Sequence, residues 1–412
     1  MTLTSEQAKA LKDILRWALT KSSPWIFTVA GYAGTGKTTL LRALIKELAE
    51  GSYICCAPTG KAASVLRGKV PGLIVRTIHQ VLYQPQGKGL EEYERLMAEI
   101  TEAKGKGIDS TALEKELSDE RERLKKEKVR FTVKPGQDIS NKLLIVDEAS
   151  MVSAAMLEDF KNTRCKVLFV GDSGQLPPVK AAEWFIEHQH DVSLVKIMRQ
   201  EADNPIIRLS MAIREGEVDV TQFRTGTCRI VFKEEVQTQE WLDADQIITG
   251  SNASRRRINR FMRKRLERGG PSGLPVDKDK MICLKNDHYQ LPPWINGIQF
   301  LVTEDCQDPG DGFYHLAMDY NGVKQTLDWY DYHCRVHYFP DLSEEPIQMR
   351  SGLFEADYAY AVTVHKSQGS EWDKVVVADD RMMSHDKEFR KRWLYTAVTR
   401  ARKELIIATD KQ

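Results

Sequence analysis

The strongest constraint on this chain is a glycine- and threonine-rich octapeptide, Gly31–Thr38, which reads GYAGTGKT. An apolar run typical of a buried strand, Trp25–Ala30, comes directly before it. After it, leucines and an isoleucine recur on one face of a helical segment that ends at Gly51. A strand, a glycine-rich turn and a helix in this order predict a P-loop, in which backbone N–H groups and the helix N-terminus bind phosphate.

The P-loop predicts a site for ATP and Mg²⁺. Lys37 is expected to reach the β- and γ-phosphates, and the Thr38 hydroxyl to bind the magnesium ion. The predicted nucleotide-binding residues of this loop are Gly31, Ala33, Gly34, Thr35, Gly36, Lys37, Thr38 and Thr39. Two acids follow the apolar run Leu143–Val146, so we expect Asp147 to hold magnesium and Glu148 to act as general base. Alone, this pair is as well explained by an ordinary strand end, and only the P-loop makes it specific.

Strand-like apolar runs alternate with helix-period segments along most of the chain, which is typical of parallel sheets covered by helices. The first set of predicted strands comprises Trp25–Ala30, Tyr53–Ala57, Leu143–Val146 and Val167–Val170. The second set comprises Gln246–Thr249, Lys374–Ala378 and Glu404–Ala408. The sequence therefore predicts an α/β protein with two parallel-sheet domains.

Two segments interrupt the alternation. Between 90 and 128 the chain is dense in charge, and its apolar residues recur at helical spacing on either side of Lys104–Gly107. This predicts a charged helical hairpin, for which an exposed solvated arm is favoured over a docking arm for protein or DNA. It is followed by Val129–Gly136, the best β candidate of that region. The second interruption, Lys280–Tyr338, is rich in aromatic and β-branched residues separated by Asn-Gly and Pro-Gly turns, which predicts a small inserted β-barrel.

Composition excludes several classes of protein. With 412 residues, 42% hydrophobic and 29% charged, the chain is an ordinary globular sequence rather than a fibrous or disordered one. Its net charge of +1 means that a site for a polyanion has to come from local clustering. Seven cysteines without a CxxC pair indicate reduced thiols and no zinc site. We expect a soluble cytoplasmic protein without a membrane partner, because no apolar run approaches the ~20 residues that span a bilayer.

A series of short strings spaced along the chain carries a family resemblance. They are Leu3–Gln7, Ala57–Ala63, Arg76–His79, Gly171–Pro178, Leu194–Gln200, Ala359–Glu371 and Leu394–Ala401. In this order they resemble the motifs of superfamily 1 helicases, specifically the group 1B that contains RecD and Dda, over a stretch from Gln7 to Arg400. The resemblance implies two RecA-like domains, an inserted subdomain with a pin that splits the duplex, and an SH3-like β-barrel.

The resemblance also implies roles for residues at the nucleotide. Gln7 is expected to read the adenine, and Gln175 in GDSGQLPP to report the γ-phosphate to the DNA groove. Arg199 and Arg400 are the implied arginines that stabilise charge during phosphoryl transfer. Gly369 and Glu371 are expected near phosphate and ribose. Asp172, in the same string as Gln175, is equally well explained as a turn former.

A groove for single-stranded DNA is the other implication of the resemblance. The residues that it assigns to this groove are Pro58, Thr59, Lys61, Thr77, His79, Thr363, His365 and Lys366. A polar residue packed under a loop remains an alternative reading for His79. The segment Ser254–Gly269 predicts an amphipathic helix with Met262 on its inner face and a row of cations, including Arg263, around the rest. That row favours a polyanion and a solvated helix face equally.

These observations predict an ATP-dependent DNA helicase that moves on single-stranded DNA, acts at junctions with duplex DNA and works as a monomer. The resemblance to RecD and Dda implies 5′ to 3′ movement. A remodelling or loading ATPase that never unwinds DNA and an RNA helicase remain alternatives, and the charged segment 90–128 is left open to a protein partner. The predicted domains are 1–82 with 142–190 (ATP-binding), 83–141 (inserted), 191–279 with 339–412 (second RecA-like) and 280–338 (inserted barrel).

Overall fold

The first set of apolar runs forms one parallel sheet. The computed structural model of the chain describes residues 3–70, 72–86, 95–96, 99–100, 102–103, 109–113, 115–117, 119, 130–133, 139, 141–178, 184–197, 203–216, 223–268, 274–284, 295–306, 316–320, 323–325, 334–336, 354–380 and 386–410. In order of pairing, the strands of the first sheet are Val75–Thr77, Tyr53–Ala57, Leu143–Val146, Lys166–Gly171, Ile26–Gly31 and Val192–Leu194. All of these pairs are parallel.

The second set forms a separate parallel sheet. Its strands, again in order of pairing, are Ala361–Thr363, Gln246–Thr249, Trp372–Ala378, Ala401–Thr409 and Cys228–Phe232. Every strand predicted for the two sets is therefore confirmed, with small differences at the ends. The helices that connect and cover the sheets are Ser5–Leu19, Lys37–Glu47, Gly60–Lys69, Ile78–Leu82, Ala154–Asn162, Trp184–Glu187, Pro205–Glu215, Thr238–Leu242, Asn252–Arg265, Val364–Ser367 and Lys387–Val398. Among the described residues, no helix has both the length and the apolar composition needed to cross a bilayer.

The helix that follows the P-loop begins without a side-chain cap. Its N-cap is Gly36, whose φ of 80° lies in the left-handed region that favours glycine. Leu40, Leu41 and Leu44 are buried against the sheet and fix the helix in place. Because no side chain caps this N-terminus, its backbone N–H groups remain available to an anion.

A third, mostly antiparallel sheet packs against the second one. In order of pairing, its strands are Val323–Gln325, Met318–Tyr320, Gln299–Val302, Lys280–Cys283, Phe354–Tyr358 and Cys334–Val336. The sheet extends beyond the predicted span 280–338, since Phe354–Tyr358 pairs with Lys280–Cys283. Met281 and Phe300 of this sheet share one hydrophobic core with Ile247 and Val376 of the second sheet. The insertion is thus anchored on the second sheet.

A two-stranded antiparallel ribbon, Tyr83–Gln86 with Arg130–Val133, stands at the base of the first insertion. It confirms the β segment predicted within Val129–Gly136. Most of the predicted helical hairpin at 90–128 lies outside the described residues, so that prediction stays a prediction.

The helix Asn252–Arg265 differs from its predicted pattern at one cation. Met262 is buried as expected, but Arg263 is also buried, with only 4% of its surface exposed. Its guanidinium pairs with the fully buried Asp279 at 3.1 Å and lies 4.1 Å above the ring of Tyr358. The prediction of an exposed Arg263 is therefore wrong, because periodicity carries no information about a carboxylate that meets the helix from the third sheet.

Candidate nucleotide cleft and nucleic-acid groove

Three neighbouring strands of the first sheet deliver the polar groups of one cleft. The P-loop follows Ile26–Gly31, Asp147 follows Leu143–Val146 and Asp172 follows Lys166–Gly171. These strands are adjacent and parallel, so their carboxyl ends meet at one edge of the sheet. Asp172, for which the sequence left a plain turn-forming role open, thereby lies beside the P-loop.

Lys37 is held over the loop by backbone oxygens. Its Nζ donates hydrogen bonds to the carbonyl of Gly31 at 2.5 Å and to that of Tyr32 at 3.1 Å. The carboxylate Oδ2 of Asp172 lies 3.9 Å from the same ammonium group. The lysine is thus fixed at the mouth of the phosphate loop, with one acid at the limit of ion-pair distance.

The acidic pair, Asp147 and Glu148, departs from ordinary values in one pKa and in one backbone angle. Burial and the neighbouring charge of Glu148 raise the pKa of Asp147 to about 6. Glu148 itself has a φ of 55°, which turns the chain sharply at the end of the strand. The two carboxylates and Thr38 line the same cleft, and together they offer hard oxygen donors of the kind that suits a divalent cation.

A cleft of about 580 Å³ brings most of the predicted nucleotide residues together. The predicted residues that line it are Ala33, Gly34, Gly36, Lys37, Thr38, Thr39, Asp147, Glu148, Gln175, Gly369, Glu371 and Arg400. Gly31 and Thr35 do not line it, although both belong to the P-loop itself. The cleft therefore has one wall from the first sheet and another from the loops around the second sheet.

Arg400 is buried in the second wall. Its guanidinium donates hydrogen bonds to the carbonyls of Thr396 at 3.0 Å and Ser370 at 3.2 Å. We call the first parallel sheet with its helices the first unit, and the second and third sheets with their helices the second unit. Glu371, close to Arg400, forms an ion pair with Lys69 of the first unit at 2.8 Å. Burial acts to raise the pKa of Glu371. The positive charges of Lys69 and Arg400 act in the opposite direction and outweigh burial, so the pKa lies below its usual value. Charged groups from both sides thus meet across the cleft.

Gln175 sits where the two walls are connected. The next residue, Leu176, donates its N–H to the Thr396 hydroxyl at 2.9 Å and accepts a hydrogen bond from the Gln368 amide at 2.9 Å. The amide oxygen of Gln175 is buried and has no hydrogen-bond partner within the described parts of the chain. A buried acceptor of this kind fits a water molecule or ligand that enters the cleft.

Among the described residues, Gln7 is a further predicted nucleotide residue that does not line the cleft. Gln7 is 1% exposed, and its amide nitrogen donates to the carbonyl of Thr35 at 2.9 Å, while its amide oxygen accepts from the N–H of Thr4 at 3.0 Å. The side chain therefore braces the P-loop from below, so the structure offers no support for its predicted contact with adenine. Arg199 lies outside the described residues.

A second cavity, of about 720 Å³, contains every residue that the sequence assigned to the DNA groove. It lies at the carboxyl ends of strands from both parallel sheets: Tyr53–Ala57 and Val75–Thr77 in the first, Gln246–Thr249 and Ala361–Thr363 in the second. The lining residues from the predicted set are Pro58, Thr59, Lys61, Thr77, His79, Thr363, His365 and Lys366. The two parallel sheets therefore share this groove as well as the cleft.

Burial sets the chemistry of this groove. It lowers the pKa of Lys61, His365 and Lys366 below their usual values. Thr59 and Thr77 act as N-caps, so each hydroxyl oxygen accepts a backbone N–H and keeps its own proton to donate. Cations with reduced solvation and hydroxyl donors are suited to phosphate oxygens.

Sequence reasoning missed several residues of both sites. In the groove, the helix Asn252–Arg265 supplies Asn252, Arg255 and Arg256, and the turn just before the strand Gln299–Val302 supplies Ile295 and Asn296. Asn296 accepts a hydrogen bond from Lys366 at 2.6 Å. The arginine-rich sequence pattern predicted this helix but did not indicate which of its residues line the groove. In the cleft, the missed residues include Arg42, Lys69, Asn204 and Arg402, and Asp172 is the residue for which the sequence left a turn-forming role open.

Comparison with known proteins finds two matching family descriptions. Residues 2–227 match the AAA domain family, and residues 358–408 match the UvrD-like helicase C-terminal domain. Similar proteins include the ATP-dependent RecD2 DNA helicase of Deinococcus radiodurans, 28% identical over 97% of this chain and 48% of the relative. The ATP-dependent DNA helicase Pif1 of Bdellovibrio bacteriovorus is 25% identical over 90% of this chain and 80% of the relative. This chain spans about half the length of RecD2.

Solved structures of Pif1 helicases share the fold. Bacteroides Pif1 bound to single-stranded DNA aligns with a TM-score of 0.53 and 19% identity, covering 100% of this chain and 93% of that one. Two Pif1 helicases at forked double-stranded DNA give a TM-score of 0.54 at 20% identity, with 100% and 93% coverage. At these identities the likeness shows the fold alone.

Proposed function

We propose that this chain, which belongs to the AAA domain family and is a superfamily 1B protein of the RecD and Pif1 type, is an ATP-dependent DNA helicase. The observation that carries the proposal is the sharing of both sites. One cleft joins Lys37 and Asp147 of the first unit to Arg400 of the second, and one groove joins Lys61 of the first unit to Lys366 of the second. A ligand that pulls the cleft walls together therefore also moves the groove walls.

ATP with Mg²⁺ fits the donor groups of the cleft. We infer that the P-loop N–H groups and Lys37 hold the phosphates, and that Thr38 and Asp147 hold the metal. Magnesium, when bound, neutralises charge on the phosphates. Glu148 orients the attacking water and accepts its proton, and Arg400 stabilises the charge that builds up on the transferred group. Gln175 adds its buried amide oxygen to the site as a hydrogen-bond acceptor.

Single-stranded DNA is the proposed occupant of the groove, and junctions of single- and double-stranded DNA are the proposed substrates. Bacteroides Pif1, which shares the fold, is described in complex with single-stranded DNA. In this chain the groove offers hydroxyls, weakly solvated ammonium groups and the arginines of the helix Asn252–Arg265. We infer further that the third sheet is an SH3-like subdomain that helps to hold the strand, and that the protein works as a monomer.

The test of this function is the separation of tailed duplexes. We expect strand displacement only with ATP and Mg²⁺, and preferentially from a 5′ overhang, because the resemblance to RecD and Dda implies 5′ to 3′ movement. Duplexes with a 3′ overhang are the matched control. ATP hydrolysis stimulated by DNA without any displacement would favour the loading or remodelling ATPase. Stronger stimulation by RNA than by DNA of equal sequence would favour the RNA helicase.

Binding of single-stranded DNA is expected to weaken steeply with salt. Each phosphate contact contributes a slope of ~0.7 in a plot of log K against log salt concentration. Replacing groove Lys61 with glutamine should reduce the slope by about one such contact, as measured by fluorescence anisotropy at several salt concentrations. Lys12→Gln, on the exposed face of the first helix, is the control and should leave the slope unchanged. A salt-independent affinity would speak against a phosphate-binding groove.

A further inference from the structure

One buried hydroxyl reaches from the second unit into the phosphate site of the first. Tyr395 lies in the helix Lys387–Val398 and is 2% exposed. Its hydroxyl accepts a hydrogen bond from the N–H of Ala33 at 2.9 Å and donates one to Oδ2 of Asp172 at 2.8 Å. Ala33 belongs to the P-loop, and Asp172 follows a neighbouring strand. A single side chain thus bridges two loops of the first sheet from a helix that packs on the second.

The surroundings leave this ring little freedom. A Cβ added at Gly174 would lie 3.0 Å from Cε1 of Tyr395, and the ring of Tyr32 packs edge-on with its centroid 6.4 Å away. Burial and the charge of Asp172 raise the pKa of Tyr395 well above its usual value, so the hydroxyl stays protonated and remains a donor at any working pH.

Asp172 is held in place by these contacts. Its Oδ1 accepts the N–H of Gly174 at 2.9 Å, and its Oδ2, which accepts from Tyr395, stands 3.9 Å from Nζ of Lys37. Without the hydroxyl, Oδ2 would keep only a long hydrogen bond from the Gln175 amide nitrogen, at 3.5 Å, and the cation facing it would be that ammonium group. A closer ion pair there would compete with the phosphates for Lys37.

We propose that Tyr395 is a positioning residue: it keeps Asp172 at a distance from Lys37 and ties the P-loop to the helix that leads into Arg400. The inference rests on the proposed nucleotide site and adds a residue to it. It gives the second unit a direct hold on the phosphate loop, so that closure of the cleft and the geometry of the P-loop are coupled.

The chain offers a matched control for this proposal. Tyr360 is also buried, and its hydroxyl also donates to a buried carboxylate, Asp279, at 2.8 Å and accepts a hydrogen bond from an N–H donor, Arg268, at 2.7 Å. It does not line the cleft. Tyr395→Phe and Tyr360→Phe therefore remove the same chemical group from similar surroundings, and a merely structural effect should lower the melting temperature in both.

The first measurement is amide hydrogen exchange of residues 31–36 in the apo-protein, which depends on no activity. Tyr395→Phe should speed exchange there about tenfold, the effect of losing one hydrogen bond to a buried group, and Tyr360→Phe should not. Equal protection in all three proteins would overturn the proposal even if the chain proves to be a helicase. If the wild type does not hydrolyse ATP, the proposed function fails, while this measurement still decides the role of Tyr395.

The second measurement separates KM from kcat for ATP hydrolysis. Tyr395→Phe should lower kcat/KM about tenfold, mainly through a higher KM, because Asp172 then competes for Lys37. Asp172→Asn should rescue much of the KM effect in the double variant, since the amide carries no charge. Tyr360→Phe should stay within about twofold of wild type. An unchanged KM in Tyr395→Phe, or purely additive effects of the two substitutions, would contradict the proposed route through Asp172.

Discussion

Replacement of Lys37 by alanine is expected to reduce ATP hydrolysis by a factor of ~10² to 10³ while leaving the affinity for single-stranded DNA nearly unchanged. The lysine stands at the mouth of the P-loop and is proposed to bind the phosphates, whereas the residues proposed to bind DNA line a separate groove. Steady-state hydrolysis and anisotropy of a labelled oligonucleotide, both without competing nucleotide, measure the two properties independently.

Lys46→Ala is the matched control for this prediction. Lys46 lies in the last turn of the same helix, Lys37–Glu47, and its side chain is exposed. The same substitution there tests whether a lysine-to-alanine change in this helix harms the fold. Both variants should keep a cooperative thermal transition. Equal loss of hydrolysis and DNA binding in a folded Lys37→Ala protein would show that the two sites are one, and the proposed separation of cleft and groove would have to be abandoned.

The parallel sheets were predictable from sequence because their strands are buried on both faces. Leu143–Val146 is a run of four apolar residues that are all buried, so its hydrophobicity alone defines the strand. The boundary of the third sheet was harder to predict from the sequence. Phe354–Tyr358 joins that sheet by antiparallel pairing with Lys280–Cys283, and such a long-range partnership leaves no periodic signal in either segment.

The residues of the candidate sites also fall into those that the sequence could predict and those that it could not. Residues that follow apolar strands, such as Lys37 after the P-loop and Asp147 directly at the end of its strand, could be predicted at one cleft because strand ends of a parallel sheet converge. Roles that depend on a partner from another element could not. Gln7 braces the P-loop through a hydrogen bond to Thr35. The importance of Tyr395 follows only from its hydrogen bonds with Ala33 and Asp172 in the folded chain.

Arg400 is the residue whose conservative replacement should have the largest effect in the second unit. Arg400→Lys is expected to lower kcat by a factor of ~10³, because an ammonium group cannot contact two phosphate oxygens with the planar geometry of a guanidinium group. The affinity for nucleotide should fall much less, since the charge is kept and the P-loop is intact. Single-turnover hydrolysis and binding of a fluorescent nucleotide analogue separate these two effects.

The present hydrogen bonds of Arg400 define what this experiment has to control. Its guanidinium donates to the carbonyls of Thr396 and Ser370 within its own unit. Replacing the arginine therefore also takes the Arg400 donor away from two buried carbonyl oxygens. Arg390→Lys tests the general cost of such a change, because Arg390 lies in the adjoining helix and pairs with Asp379. If both variants lose stability equally and only Arg400→Lys loses kcat, the arginine acts on the reaction. If Arg400→Lys keeps a wild-type kcat, the second unit contributes no charge through this residue, and the proposed helicase would have to couple its two units through other contacts.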